Sequence, residues 1–366
     1  MTDFNQLRKA LFIKERRIRV SSLLYIFEGI KRIRKWENLS GFKKNRRNFS
    51  RRLALTYSSY VEFCLLIGDK NPKPNRRTKH EWLRFDHRNG YNKTAHGLPL
   101  EKSPTFRYYQ DRGIISPFNS LISDSIHKIQ EDLTIGLTEL EPFLPGIFNS
   151  IEQITKRAFT LDLNVWSLQG KLKGSNKKEE YQNFVTGFAN KEQQASFFHS
   201  YPVLYRAGCI KTSFWRNAVT EFLQRLDADR RALNDLFALP LTGALTSVTQ
   251  SGDTHNNGRA VFIVEFDNTT KLVYKPRSVK LELGFQKYIN FFNSLRAGPE
   301  LRIVKVLDKD DYGWVEFVHF EKQSTQAESD IYHFKLGFIT ALVYSLSGVD
   351  IFFENLVSSG TDPIII

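Results

Sequence analysis

Cysteine is scarce: of 366 residues only Cys64 and Cys209 are cysteines. Two thiols cannot staple a chain of this size, nor can they build a four-thiolate zinc site. The chain reads as a reduced, cytosolic protein. Long hydrophobic runs are lacking as well. No stretch reaches the roughly 18 uninterrupted apolar residues that a membrane span needs. The nearest, Leu336 to Val349, is short and interrupted by Ser345 and Ser347, so it reads as a buried helix. The N-terminus mixes charges from the start and has no signal-peptide order. There is no internal repeat, no zinc-finger spacing and no glycine-aromatic signature of an RNA-binding sheet, which argues against nucleic acid as a partner.

What is present is globular in proportion, with 41% hydrophobic and 25% charged residues. The length suits two domains, or one large domain with appendages. The formal net charge is +14, unevenly spread. Residues 1–52 hold 16 of the 53 basic residues and four acids, a local +12 that leaves the remainder near neutral. The bursts KERRIR, KRIRK and KKNRR are interleaved with Leu11, Ile18, Leu23 and Ile26, so part of the segment fits an amphipathic helix. A solvated helical face is the ordinary outcome of such charge runs. An anionic partner or a flexible arm are the alternatives.

From about 54 to 250 the period is mostly helical. One helix is expected near Trp215 to Phe237, ended by Pro240 and Gly243, and another over Ser120 to Leu133. Residues 71–102 look like loop. The texture changes near Ser251. RAVFIVEF and KLVYK predict a hairpin of strands 259–266 and 271–275 around the turn DNTT. A helix follows over Val279 to Leu295, then strands in IVKVLD and GWVEFV, a helix over Glu328 to Leu346, a loop, and a last strand PIII.

That order suits a kinase-like fold. Such folds place a loop over phosphates, a lysine on a following strand, an acidic partner on the next helix, and an Asp and Asn five residues apart on a catalytic loop. In SGDTHNNGR, Gly252 and Gly258 allow close backbone approach to phosphate. Asp253, His255, Asn257 and Arg259 are the polar groups of the same loop. Lys275 would bind phosphate, with Glu282 as its orienting ion-pair partner. Asp350 and Asn355 in GVDIFFEN have the five-residue separation. Taken singly, each has a plainer reading: a turn, a snorkelling surface lysine, a solvated helix end.

The run GDTHNNGRAVFIVEF…KLVYKPRS…YGWVEFV…SGVDIFFENLVSSGTDPIII resembles the dehydratase domain of class II (LanM-type) lanthipeptide synthetases. LDLNVWSLQGKLKG and SYPVLYRAGC are similar to that family too. The resemblance implies an α+β fold: a lipid-kinase-like core decorated with a large helical N-terminal region. It implies ATP and magnesium, no zinc in this part, and a precursor peptide with a leader as partner. The family phosphorylates Ser and Thr of that peptide and eliminates the phosphate to leave dehydroamino acids. By position, Lys275 is then the phosphate-binding lysine, Asp350 activates the peptide hydroxyl, and Asn355 is a magnesium ligand. Asp253 and His255 belong to the loop near the phosphates.

The expected organisation is a basic helical segment over 1–52, a helical part of the dehydratase over 53–250, and a kinase-like core over 251–366. That core is cut before the family's second metal motif, leaving the C-terminal lobe incomplete. Phe352 stands where the family carries a His, and phenylalanine can neither donate a hydrogen bond nor carry a proton. Asp362, just before Pro363, does not replace the missing metal ligand. The expectation is an inactive fragment that a further polypeptide supplying the rest of the synthetase would complete. The alternatives are a degenerate, non-catalytic protein that binds the precursor peptide, or a binder of membrane surfaces or nucleic acid through the basic segment.

Overall fold

The computed structural model describes residues 28–33 and 99–366, apart from 256 and 257 and the side chains of Pro99, Asp253 and His255. The basic segment and the loop expected over 71–102 therefore lie mostly outside the described residues. Residues 28–33 are helical, with a 3.6 Å ion pair between Lys31 and Glu28. The described residues form two compact units. One takes those up to His127 with Ile147–Ser213, the other Lys128–Gly146 with Phe214–Ile366. No helix among the described residues is long and apolar enough to cross a membrane.

The helices begin with α1 (Pro104–Arg112), α2 (Asn119–Leu133), α3 (Leu144–Leu168), α4 (Lys177–Thr186), α5 (Lys191–Ser200) and α6 (Pro202–Phe237). Ser103 caps α1 by accepting from the Phe106 amide at 2.9 Å, a bond such caps make because the first helical N–H groups lack intrahelical partners. Gly113 ends α1 at φ +71°, where a side chain would collide with Val185. The first unit is cored by aromatic rings. Phe159, Phe184, Phe188, Phe197 and Phe198 meet in a run of edge contacts and stacks.

The second unit is built on a five-stranded antiparallel sheet of order β1-β2-β3-β5-β4. Its strands are β1 (Leu245–His255), β2 (Arg259–Phe266), β3 (Lys271–Lys275), β4 (Val306–Asp308) and β5 (Gly313–Glu316). The hairpin β2–β3 has the bounds that its alternation predicts. Strand β1 corrects the reading of residues 251–259 as a loop before the sheet. It pairs with β2 from Leu245 to His255, with an irregularity between Ser251 and His255, so Gly252, Asp253 and His255 lie on a strand. Few apolar residues in LTSVTQSGDTH alternate, and its backbone ladder with β2 carries the pairing instead.

The two faces of the sheet bury different chemistry, because successive side chains alternate. On one face Phe222 of α6 meets Phe262, Tyr274 and Trp314 edge-on or tilted, with ring centroids 5.1–5.6 Å apart. Phe222 is fully buried, and its replacement by Ala is expected to cost about 3–5 kcal/mol. On the other face lie Val279, Val304, Val315 and Val318. Helix α7 (Lys280–Leu295) follows β3, and α8 (Gln326–Ser345) starts with a capping box between Thr325 and Glu328.

The chain ends in a second hairpin, β6 (Leu356–Ser359) with β7 (Asp362–Ile365), turning at Gly360 with φ +61°. The sequence predicts only the last of these strands, because LVSS is short and half polar. Ile364 is buried with the valines of the sheet, Ile365 packs against the cluster of Ile289, Leu301, Ile339 and Leu342, and Ile366 is exposed. Helix α8 does keep uncovered apolar side chains, among them Phe334 and Tyr344.

Candidate functional site

Lys275 closes β3 opposite Gly313 of β5, on the valine face. A long ammonium side chain there is buried, 8% exposed overall, so it needs a counter-charge. Glu282, in the first turn of α7, supplies it at 3.2 Å. The same carboxylate oxygen takes Arg277 at 2.8 Å. Burial works to raise the Glu282 pKa. The hydrogen bond from Arg277 and the charge of Lys275 outweigh it and hold the group below the usual carboxylate range. The result is an ammonium fixed on a strand end by an acid on the following helix.

Asp350 and Asn355 form a second local pair. Asp350 is exposed and holds φ +63°, a left-handed conformation that Asp tolerates better than most residues. Asn355 Nδ2 donates to the Asp350 carbonyl at 2.8 Å, closing the loop between them. That commitment leaves the amide oxygen of Asn355 as the atom a cation could take. Asp350 is flanked in the chain by exposed Val349, Ile351, Phe352 and Phe353. Phe352 packs edge-on against Phe353, so the position offers no polar group.

The β1–β2 hairpin gives a mixed picture. Gly252 and Gly258 both take positive φ, +69° and +95°, as a tight phosphate-cradling backbone would require. Asn257 and the side chains of Asp253 and His255 lie outside the described residues. Arg259 is described, and one edge of its guanidinium is engaged: Nε and Nη2 donate to the two oxygens of Glu221 at 2.8 and 2.6 Å.

Asp362 accepts an ion pair from Lys335 at 2.6 Å, which engages its carboxylate in joining α8 to the terminal hairpin. Among the described residues no group of three His, Cys, Asp or Glu side chains gathers as a metal cage. A magnesium ion needs no such cage, since it keeps several waters and binds through one or two carboxylates plus substrate phosphates. The oxygen donors of Asp350 and Asn355 fit that chemistry.

A third group of polar residues went unread in the sequence. Glu221, Arg225 and Asp229 repeat every four residues along α6, on the side that meets the sheet. Arg225 pairs with Glu221 at 2.6 Å, donates to the Tyr274 hydroxyl at 2.6 Å, and lies 4.0 Å from the centre of the Tyr312 ring. Asp229, 1% exposed, takes the Trp314 indole N–H at 2.8 Å and Lys309 at 2.7 Å. Burial raises the pKa of Tyr312, and its hydrogen bond to Asp229 raises it further. The signal was the i, i+4, i+8 alternation of charge beside the apolar stripe of Phe222 and Leu226. Charges next to a buried stripe read by default as solvated.

Similarity to known proteins accords with the motifs. A family model described as a domain of unknown function, DUF4135, matches residues 201–366. The lacticin 481/lactococcin biosynthesis protein LcnDR2 of Lactococcus lactis subsp. lactis is 27% identical over 229 residues, which take in 59% of this chain and 24% of that protein. The chain thus spans about a quarter of the length of the curated relative it matches.

Proposed function

This chain is similar over part of its length to the LanM-type lanthipeptide synthetases, and on that footing we propose that it serves the dehydration of a precursor peptide in lanthipeptide synthesis. The observation that carries the reading is the Lys275–Glu282 pair, an ammonium on the third strand of an antiparallel sheet held by an acid on the next helix. Kinase-like lobes present phosphate-binding lysines in this way.

In this reading the second unit is a kinase-like core. Lys275 neutralises charge on the phosphates of ATP. Asp350 accepts the proton of a peptide Ser or Thr hydroxyl as its oxygen takes the γ-phosphoryl group, and ADP leaves. Asn355 and Asp350 supply oxygen donors for magnesium. Elimination then removes the proton on Cα and breaks the Cβ–O bond, releasing phosphate and leaving the dehydroamino acid. The hairpin of Asp253 and His255 belongs to the same chemistry.

A second reading is favoured by Phe352: a protein that binds the precursor peptide without turning it over. One experiment separates the two. The protein is incubated with ATP, magnesium and the lacticin 481 precursor peptide as probe, and peptide mass is followed. Gain of phosphate or loss of water, abolished by Lys275→Met, supports the dehydratase. Peptide binding with no ATP-dependent mass change supports the binding protein. Modification that survives Lys275→Met overturns the role given to the lysine.

A further inference from the structure

Arg259 sits beside the glycine of the β1–β2 hairpin and was grouped above with the phosphate-binding residues. Its geometry says otherwise. Both its Nε and an Nη are committed to Glu221 in a two-point fork, the arrangement in which guanidinium and carboxylate hold each other's orientation as well as charge. Gly258, the residue before it, lies so close to Phe214 that an added Cβ would collide with the Phe214 side chain and approach its backbone at 3.1 Å. Phe214 and Glu221 are seven residues apart on α6, two helical turns, and therefore face the same way. The end of the hairpin is thus fastened at two successive points to one face of one helix.

The fastening continues along that face. Glu221 shares its Oε1 with Arg225, and Arg225 reaches the hydroxyl of Tyr274. Tyr274 immediately precedes Lys275. Because side chains alternate along a strand, whatever fixes Tyr274 on the α6 face fixes the direction of Lys275 on the opposite face. The same carboxylate therefore ties down both the hairpin with Asp253 and His255 and the strand with Lys275.

We infer that Arg259 is a positioning residue, and that Glu221 and Arg225 form with it a polar clasp that sets the hairpin and the lysine strand in a fixed relation. The inference deepens the dehydratase reading and, for its kinetic part, rests on it. It gives Arg259 a positioning role: the Nε–H and one Nη2–H, the donors of one two-point fork, are held by Glu221.

The test is a double-mutant cycle with Arg259→Gln, Glu221→Gln and the pair, and Arg259→Lys as the conservative variant. ATP-dependent phosphorylation of the lacticin 481 precursor peptide gives kcat and the KM for ATP. Hydrogen exchange of the backbone amides in residues 251–261 gives a readout that needs no activity. The clasp predicts that each single variant lowers kcat about 10- to 100-fold, the scale of a small misplacement of reacting groups. KM for ATP stays level, the double variant is no worse than either single one, and Arg259→Lys recovers part of the loss. Both single variants speed exchange in the hairpin alike, while β2–β3 stays protected. A rise in KM for ATP with Arg259→Gln but not with Glu221→Gln would overturn the inference in favour of a phosphate ligand. Effects that multiply would overturn the clasp, as would hairpin exchange unchanged in both variants, whether or not the protein is active. A wild-type protein that modifies no peptide counts against the dehydratase reading alone, and the exchange measurement still decides the clasp.

Discussion

The indole of Trp314 donates to Oδ2 of Asp229 across 2.8 Å, in a place where both side chains are all but sealed from solvent. Asp229 is balanced there by Lys309 at 2.7 Å, itself about a third exposed. Removing the carboxylate strands a buried N–H and takes the partner from an ammonium that can still reach water. Asp229→Ala is expected to lower unfolding free energy by about 2–4 kcal/mol, and Asp229→Asn, which keeps an acceptor for Trp314, by about 1 kcal/mol. Urea midpoints followed by tryptophan fluorescence measure both. Equal losses would show that the charge, not the hydrogen bond, matters.

Glu282 gives a pH prediction. Its folded pKa lies below the ordinary value of 4.5, because Arg277 and Lys275 outweigh its burial. A depressed carboxylate contributes stability above its unfolded pKa and loses it as pH falls through the folded one. Melting temperature should therefore drop as pH falls below about 4.5, and Glu282→Gln should make that acid limb shallower while lowering stability at neutral pH. An unchanged acid limb would remove Glu282 from the acid transition.

Asp350 separates chemistry from stability. It is exposed, and asparagine tolerates its left-handed backbone. Asp350→Asn should change stability by less than about 0.5 kcal/mol. It should cut peptide phosphorylation about 100- to 10,000-fold, the range that a lost general base covers. A variant that keeps its rate would show that the hydroxyl proton leaves by another route.

Asp362 should behave as a structural residue. Its carboxylate is held by Lys335 at 2.6 Å, with both side chains partly buried. Asp362→Asn is expected to cost about 1 kcal/mol by thermal denaturation. The magnesium concentration that half-saturates activity should not move. A shift in that concentration would put Asp362 among the metal's ligands.

Part of this was legible beforehand because local pattern and tertiary outcome agree. RAVFIVEF alternates, and the strand it forms buries every second residue from Ala260 to Phe266. Lys275 and Glu282 were readable as a pair because a strand end and the first turn of the next helix are close in any such unit. Strand β1 was not readable: its residues form a strand by backbone pairing with β2, which leaves no hydrophobic period. The roles of Glu221, Arg225 and Asp229 were hidden for another reason. Their partners Arg259, Tyr274, Tyr312 and Trp314 lie tens of residues away, and a helical period cannot say which charged stripe a sheet will cover. Helix α6 was recognised only from Trp215, since its first turns, with Gly208 and Cys209, lack the strong spacing of Phe222, Leu226 and Leu233.

Strand β3 is five residues long, with Tyr274 turned to α6 and Lys275 to Glu282. Its length is therefore protected in a way that its composition is not. A single residue inserted or lost within β3 would exchange the two faces. It would put an ammonium among Phe222 and Trp314 and a phenol against Glu282. Conservative replacements inside the strand should be absorbed by repacking. The Asp267–Thr270 turn is bound by the same rule: Thr269 takes φ +65° and its amide donates to the Phe266 carbonyl at 2.9 Å, so a residue added there must be taken up as a bulge if β2 and β3 are to stay in step.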